Sequence, residues 1–517
     1  MPATGRRIFD SLSTGAGSWR GLLAAALLAP VLAACATGEV RKADVRLPAA
    51  FEAPQPGQTV EAQALDQWWT LYNDAQLTAL VQQALANSPD ARDAVAKLDQ
   101  ARAVRQAALY AYNPQGALTA SGSKSQYNPL SSSASLSDFE SLGGVGGGIG
   151  GVGAGGSNVS SLLASESYSL GFNVSWELDL FGRRRAARRS ADAELRNAEF
   201  VYDATRWSLA ANVADSLFQA RGLAIQLDQA QETQRIEQQL YDVSKARVDH
   251  GLAPSADSAQ TQANLQIAQA QAEGLRAQLT AARRTLLVLI GKGVDPLASL
   301  PVPADVGAPP PVPATAPGEL LVRRPDVREA QQRVESALGK LTLNKRALLP
   351  TFTLQPGVGI IQAGSSAASR LSFWTLAANA ALPVLDRPRL LSLVRQQRDV
   401  AEQAVIAYEK SVQTAYGDAE NAFGYYDSDK RRVAVLIEAE KNAGFAYRAK
   451  QTGYTRGLND LQTTLNAEAQ WRQARLTLAQ AQVTLMQRSV QLFKALGGGW
   501  SPNSTPPVTE ARNGAAG

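Results

Sequence analysis

Residues 168–183 read Tyr-Ser-Leu-Gly-Phe-Asn-Val-Ser-Trp-Glu-Leu-Asp-Leu-Phe-Gly-Arg. Tyr168, Leu170, Phe172, Val174, Trp176 and Leu178 alternate with Ser169, Gly171, Asn173, Ser175 and Glu177. A period of two, apolar on one face and polar or small on the other, is the signature of a β-strand. Two settings fit that alternation equally: a half-buried strand of a soluble sheet, and the wall of a membrane barrel. The pattern then changes. From Gly182 to Gly251 there is no proline, and Gly222 is the only interior glycine. One helix on the order of 100 Å long follows from a rise of ~1.5 Å per residue.

After Gly251-Leu252 a shorter helix returns, from Pro254 to Ile290. Before the strand lies a helix from Pro89 to Tyr112, with proline suited to its first turn. The same order recurs. A helix runs from Pro325 to Leu349, and a strand carries Phe352, Leu354, Val358 and Ile360 on one face. A long helix spans Pro388 to Gly457, and a return helix spans Leu458 to Leu496. Pro89 and Pro325 are 236 positions apart, as are Pro114 and Pro350; Gly251 and Gly457 are 206 apart, as are Leu180 and Asp386. The first copy therefore holds 30 extra residues between Pro114 and Leu180, where the Gly/Ser-rich stretch Ser131 to Ser161 lies. That composition implies a flexible, solvated loop. In each copy the first helix and the return helix together nearly match the long one. Stacked end to end beside it, they make a wall of uniform height.

The divisions that result are 1–34, 35–86, repeat 1 at 87–300, a Pro-rich linker at 301–323, repeat 2 at 324–497, and a flexible tail at 498–517. The linker stretch Pro301 to Pro317 should be extended and partly polyproline-like. The last helix shows how such a wall packs. Leu476, Ala479, Val483, Met486, Val490 and Phe493 form one apolar stripe. Trp471, Ala474, Leu478, Ala481, Leu485 and Leu492 form a second. Positions two apart lie about 200° around a helix, so the stripes occupy opposite flanks. Between them run Thr477, Gln480, Thr484, Gln487 and Gln491, polar and uncharged. Two flanks suit a helix with a neighbour on either side in a curved wall; the interior of an ordinary helix bundle is the alternative.

The first 35 residues bear on the compartment. Arg6, Arg7 and Arg20 precede an apolar run from Gly21 to Ala34. It is shorter than the ~20 residues a spanning helix needs and reads as a signal peptide. It ends in Leu32-Ala33-Ala34-Cys35, which resembles the bacterial lipobox, where the cysteine thiol receives a diacylglycerol. Cys35 is the only cysteine, and Ala36 follows it in place of the aspartate that retains lipoproteins at the inner membrane, so outer-membrane delivery is expected. With one cysteine and one histidine, His250, the chain cannot form an internal disulfide or a Cys/His metal cluster, and any nucleophile–histidine pair would need His250. The net charge of +5 with no dense basic run gives no case for nucleic acid. No catalytic residue, metal site or cofactor is expected beyond the covalent lipid on Cys35.

Other segments complete the picture: Trp68-Trp69 with Asp74, Leu77 and Leu80, then Asn87-Ser-Pro-Asp90, then Trp176 to Arg183. The turns His250-Gly251-Leu252 and Arg456-Gly457-Leu458 and the ending Lys494-Ala-Leu-Gly-Gly-Gly499-Trp500 follow. In order, twice over and behind a lipobox, they resemble the TolC-like outer membrane factor family, in particular its NodT-type efflux lipoproteins. The resemblance covers nearly all of the mature chain. It implies a mainly α fold with a membrane β-barrel part. Three subunits would share a transmembrane barrel, four strands each, and an α-helical barrel crossing the periplasm, with a belt around its middle. It implies a passive duct for small toxic molecules and drugs, working with an inner-membrane pump and a periplasmic adaptor protein. The adaptor-facing helix tips would be His250, Gly251, Leu252, Ala253, Arg456, Gly457, Leu458 and Asn459. Glycine in those turns also simply permits a left-handed conformation.

Two departures stand out. Relatives carry an acidic residue nine positions after the second tip glycine, where carboxylates ring the lumen. Here Asn466 stands there, so Asn466 and the nearby Asp460 are the periplasmic gate candidates. Relatives have glycines where the second strand meets its helix; here Asp386-Arg387-Pro388 stands, and proline can start the helix instead. Arg183, Arg184, Arg185, Arg188 and Arg189 would lie just below the barrel, either against lipid phosphates or as a solvated basic face. A duct of a type I protein secretion system and a structural periplasmic lipoprotein without a pore are the competing functions.

Overall fold

The computed structural model describes residues 39–52, 62–126, 164–312, 317–363 and 370–500. The signal segment, Cys35 and the Ser131–Ser161 stretch lie outside the described residues. A 3-10 stretch, Ala62–Tyr72, precedes α1 (Ala75–Asn87) and α2 (Pro89–Tyr110). Strands β1 (Gln115–Gln126) and β2 (Ala164–Leu178) lead into α3 (Arg183–Asp249) and α4 (Ser255–Leu289). The second repeat holds α5 (Pro325–Arg346), β3 (Thr351–Ala363), β4 (Arg370–Ala381), α6 (Arg387–Thr455) and α7 (Leu461–Ala495). The two repeats match closely: 22 residues in α2 and in α5, 35 in α4 and in α7, and 67 in α3 against 69 in α6. Pro388 sits in the first turn of α6, in keeping with its place in the sequence.

End-to-end stacking depends on four helix ends of one design. At each long-helix end, the glycine N–H and the following N–H donate back to carbonyls three and five positions earlier: Gly251 to Val248 and Leu252 to Arg247, Gly457 to Tyr454 and Leu458 to Gly453. The return helices end identically, with Gly291 to Val288 and Lys292 to Leu287, and with Gly497 to Lys494 and Gly498 to Phe493. This is the Schellman cap, which requires a left-handed residue. All four glycines comply: φ is 69° at Gly251, 73° at Gly457, 78° at Gly291 and 74° at Gly497. The tip glycines meet nothing within 4 Å, whereas a Cβ on Gly291 would lie 2.6 Å from the Asn87 carbonyl oxygen. A Cβ on Gly497 would lie 2.7 Å from the Arg323 carbonyl. The end of each return helix thus abuts the chain just before Pro89 or Pro325, and the short helices stack there.

The wall is not symmetric. α3 is its centre: it packs against α2 and α4 of its own repeat and against α5 and α7 of the other. α6 packs only against α5 and α7 among the long elements. The two stripes of α7 go where their geometry sent them. Met486, Val490 and Phe493 join a core with Leu217 and Phe218 of α3, while Ala481, Leu485 and Leu492 join one with Phe423 and Tyr426 of α6. Gly222 is explained by the first contact, because a Cβ there would overlap Val483. Gly339 of α5 likewise lies on the Ser190 backbone of α3, where a Cβ would come within 2.8 Å.

A belt wraps this level. Trp68 is fully buried and stacks on Phe493, with ring centroids 5.6 Å apart and planes within 9°. Asp74 caps α1 through the Leu77 N–H and pairs with buried Arg221 of α3. Of the described linker residues, 301–312 have no regular structure, yet Val306 and Val312 are buried in the two main cores. The linker ends in a helical turn, Leu320–Arg323, because Leu320 plugs the second core. One boundary needs correction. Residues 498–500, expected to open a flexible tail, are instead buried and bonded in place. Gly499 donates to the Leu65 carbonyl at 2.7 Å, and the buried Trp500 indole donates to the Arg323 carbonyl at 2.7 Å.

Alanine at Gly291 or Gly497 must be left-handed and must also displace backbone; alanine at Gly251 or Gly457 faces only the first cost. A left-handed non-glycine residue costs about 1–2 kcal/mol. Gly291→Ala and Gly497→Ala should therefore lower the thermal midpoint by at least about twice as much as Gly251→Ala, measured by circular dichroism. Equal losses at both kinds of site would contradict the stacking role.

Candidate functional site

Three features of the molecule carry functional geometry: the sheet, the helix tips and a buried acidic pair between them.

The sheet has the order β1-β2-β3-β4, antiparallel throughout. Directly opposed residues share a face. One face carries Leu118 opposite Phe172, Phe172 opposite Val358, Val358 opposite Trp374, and Leu170 opposite Ile360. The other carries Ser121 opposite Ser169 and Ser123 opposite Ser167, each pair bonded through hydroxyls at 2.8 Å. The Asn379 amide donates to Gln355 on the same side. The apolar face is uncovered: Leu118, Trp374 and Leu376 are 72%, 78% and 63% exposed. A soluble sheet packs its apolar face on something; no described element lies on this one. An outward apolar band over a mainly polar inner face, here with Ile361, Leu371 and Phe373 toward one end of it, is the pattern of a transmembrane barrel wall. The ladder from β2 to β3 skips Val174 and Ser175 beside Pro356, a residue with no N–H to donate. No helix among the described residues is long and apolar enough to cross a membrane.

The tips stand at the far end of the helices. His250, Gly251 and Leu252 are exposed with Ala253 beside them, and so are Arg456, Gly457 and Leu458 with Asn459 beside them. Leu252 and Leu458 are 70% and 78% exposed, apolar side chains held outward on capped loops. The Asn459 amide donates to the Lys450 carbonyl at 3.1 Å, which tightens the second tip. Asp460 acts locally. Its carboxylate accepts the Thr463 N–H at 2.7 Å and caps α7, and hydrogen bonds to Thr463 hold it below the usual carboxylate range. Asn466, one turn on, is exposed and accepts from the Gln462 amide at 3.0 Å.

The arginine cluster divides. Arg183 pairs with Glu177 at 2.9 Å, Arg188 with Asp192 at 3.5 Å and Arg189 with Glu335 at 2.8 Å, so three of the five are tied to protein carboxylates. Arg184 and Arg185 are exposed at the start of α3, directly below the sheet.

The feature that sequence reading missed lies between tips and belt. Glu237 of α3 and Glu468 of α7 are 1% and 2% exposed, and the guanidinium of Arg472 reaches them at 3.9 and 3.5 Å. Burial first, and Glu468 second, push the Glu237 carboxyl up to about 7; burial also raises Glu468, against Arg472 and Arg475. Asn264 of α4 bonds Glu237, and Tyr447 of α6 adds a buried hydroxyl without a partner. Tyr447 stacks on Trp471, with ring centroids 5.1 Å apart. No motif marks this pair, because 231 residues separate its members. Among the described residues, no group of His, Cys, Asp or Glu is arranged to hold a metal.

A membrane-type sheet on helices on the order of 100 Å long, ending in paired outward tips, defines a class: the subunit of an outer-membrane efflux channel. The chain belongs to the family described as outer membrane efflux protein, which it matches over residues 80–292 and 316–498. It is 28% identical to the pyoverdine export outer membrane protein OpmQ of Pseudomonas putida, over 92% of this chain and 96% of that one. It is 25% identical to the toluene efflux pump outer membrane protein TtgC of Pseudomonas putida, over 88% and 90%. Among solved structures, the outer-membrane channel OprN superposes with a TM-score of 0.72 at 27% identity, covering 89% of this chain and 99% of that one. The open-state MtrE channel of Neisseria gonorrhoeae gives 0.73 at 22% identity, covering 91% and 99%.

A carboxyl raised by folding favours the folded state in its protonated form. The Glu237–Glu468 contribution is therefore fully present below the ordinary value of 4.5 and is lost as pH rises through about 7. Glu468→Gln should raise the thermal midpoint by several degrees at about pH 8 and leave it unchanged at about pH 4.5. A gain equal at both values would show that the pair does not titrate in this way.

Proposed function

We propose that three copies of this chain assemble into one passive duct for small toxic compounds, lipid-anchored at Cys35 in the outer membrane. Such a duct receives its substrates from an inner-membrane pump through a periplasmic adaptor docked on the tips. The observation that carries the assembly is the sheet. Its outer strands, β1 and β4, each have one unpaired edge among the described residues. An unpaired edge in hydrocarbon leaves backbone groups unsatisfied at several kcal/mol each, so the four strands must close with other copies. Three fourfold contributions close a barrel that one cannot. The same logic applies to the helices, since α6 and the α2–α4 stack each lack a neighbour on one side.

The lipid anchor is supported by where the N-terminal segment runs. Val40 packs with Leu390 and Val394 near the start of α6; Arg41 pairs with Glu402 and Glu409; Val45 meets Val412; Phe51 stacks on Tyr416 and meets Phe423. The segment thus climbs α6 from belt to sheet, extended. Cys35 is five residues before Val40, a reach of at most ~18 Å toward the membrane end. The tips support the adaptor: two apolar side chains per subunit, held outward by rigid caps, are what a docking partner buries. The relatives' printed roles, in pyoverdine export and toluene efflux, favour small molecules over protein cargo. No catalytic step belongs to this reading.

Purified protein should migrate as a trimer in detergent and conduct ions in planar bilayers; a non-conducting monomer would end the proposal. Mass spectrometry of the mature N-terminus should find a diacylglycerol-modified Cys35, absent in Cys35→Ser. In a deletion strain, Leu252→Asp with Leu458→Asp should fail to restore resistance to toxic compounds while trimer yield and melting stay as in the parent chain. Full restoration would remove the tips from the docking surface.

A further inference from the structure

The two repeats give a built-in control for what the wall needs and what has been added to it. In each repeat a groove lies where the long helix meets its return helix near the belt. The first-repeat groove, about 330 Å³, is lined by neutral residues such as Ser216, Gln219, Ala282 and Thr285. The second-repeat groove, about 340 Å³, occupies the corresponding place: Ala422, Tyr425, Arg488 and Gln491 stand 206 positions further on. Size and framework are retained, and the chemistry is new. Gln219 becomes Tyr425, Ala282 becomes Arg488, and Val288 becomes Lys494. Trp207, Arg324, Asn421, Ala495 and the carboxylate of Asp418, which is paired with Arg324, complete the lining.

The cations in this niche stand on aromatic faces. Arg488 lies 4.7 Å over the Tyr425 ring; Lys494 and Arg324 lie 5.1 and 5.7 Å from the Trp207 ring centre. Arg324 is fully engaged by Asp326 and Asp418. The other two are not. No carboxylate lies within 4 Å of the Lys494 ammonium among the described residues, although Asp215 is near enough for the two charges to interact. Arg488 meets only Asp429 at 3.5 Å and Gln491, and its Nε is buried without a hydrogen bond. Tyr425 is 54% exposed at the mouth. Two under-partnered cations and an exposed ring together ask for acceptor oxygens on a flat apolar body.

The niche also faces a definite way. Ser489 of α7 bonds Tyr72 of the belt. Gln491 lies about 200° around the helix from Ser489, and so it points away from the belt. In a duct with its belt outside, that is the lumen.

We propose that this niche is a lumenal binding site for flat aromatic anions, such as aromatic carboxylates, held briefly during export. This deepens the duct reading above and rests on it. The carboxylate accepts from Arg488 and Lys494, and the ring stacks on the Arg488–Tyr425 layer. The repeat-one groove has no such affinity.

The test is equilibrium dialysis of the purified trimer with 2-naphthoate, with neutral 2-naphthamide as comparison. Saturable naphthoate binding is expected, about tenfold or more tighter than the amide. The double variant Arg488→Gln, Lys494→Gln should lose about tenfold or more. Gln491→Glu, an exposed change that sets a carboxylate at the mouth, should lose as much without touching the core. Ala282→Gln in the first-repeat groove should change nothing. Equal binding of acid and amide, or undiminished naphthoate binding in both niche variants, would overturn the site. Bilayer conductance of the same preparations separates the two ideas: a conducting trimer that ignores naphthoate refutes the niche alone, whereas absent conductance refutes the duct.

Discussion

A four-stranded sheet with an apolar face cannot be stable by itself in either solvent. In water the uncovered face with Leu118, Trp374 and Leu376 is a large unfavourable surface; in lipid the free edges of β1 and β4 are. Both problems vanish only when the sheet closes with copies of itself inside a membrane. That constraint sets the symmetry, and the symmetry sets the helices: whatever hangs from a closed barrel must itself form a ring. A ring of long rods around a wet middle needs rods with partners on both flanks and a polar inner side, and α7 shows that pattern. Its Leu485 flank meets α6 and its Phe493 flank meets α3, while Gln480 and Gln491 remain exposed between them.

Uniform wall height is a second requirement, met without long return helices. Two short helices stack beside a long one, and the joint is made by a left-handed glycine whose missing side chain lets the chain before the next proline close over it. Gly291 and Gly497 do this with the same pair of hydrogen bonds that Gly251 and Gly457 use at the tips. One capping device thus terminates four helices. At two sites it is packed under backbone; at the other two it stands in open space. The difference separates glycines that build the wall from glycines that present a surface.

Much of this was legible in the chain itself. The alternation in β2, the proline-free run of α3, the offsets of 236 and 206 and the two stripes of α7 are local patterns, and local patterns fix element type, length and facing. What was not legible depends on contacts across the sequence. Whether the sheet's apolar face is covered is invisible to alternation. Gly498 to Trp500 look like tail because glycine-rich ends usually are; the Leu65 and Arg323 carbonyls, far upstream, help to hold them. Asp460 drew attention as a charge near a tip, yet the Thr463 N–H claims it as a cap. Glu237 and Glu468 sit on helices whose contact no sequence pattern announces.

The duplicated frame also separates structure from added function. Several core and capping positions shared by the repeats are apolar or glycine: Leu217 with Phe423, Leu287 with Phe493, Gly291 with Gly497. Four of the buried charges fall where the repeats differ. Arg324 stands against Ser88, Glu468 against Gln262, Glu237 against Ala443, and Arg221 against Asp427. Burying charge is costly unless it is fully paired, and Glu237 and Arg488 are not fully paired. At Glu237 and Arg488 a wall built only to stand could have kept the neutral version, since the other repeat has Ala443 and Ala282 there. Arg221 and Arg324 are accounted for by their structural ion pairs, whereas the incompletely paired Glu237 and Arg488 are not needed to hold the wall up.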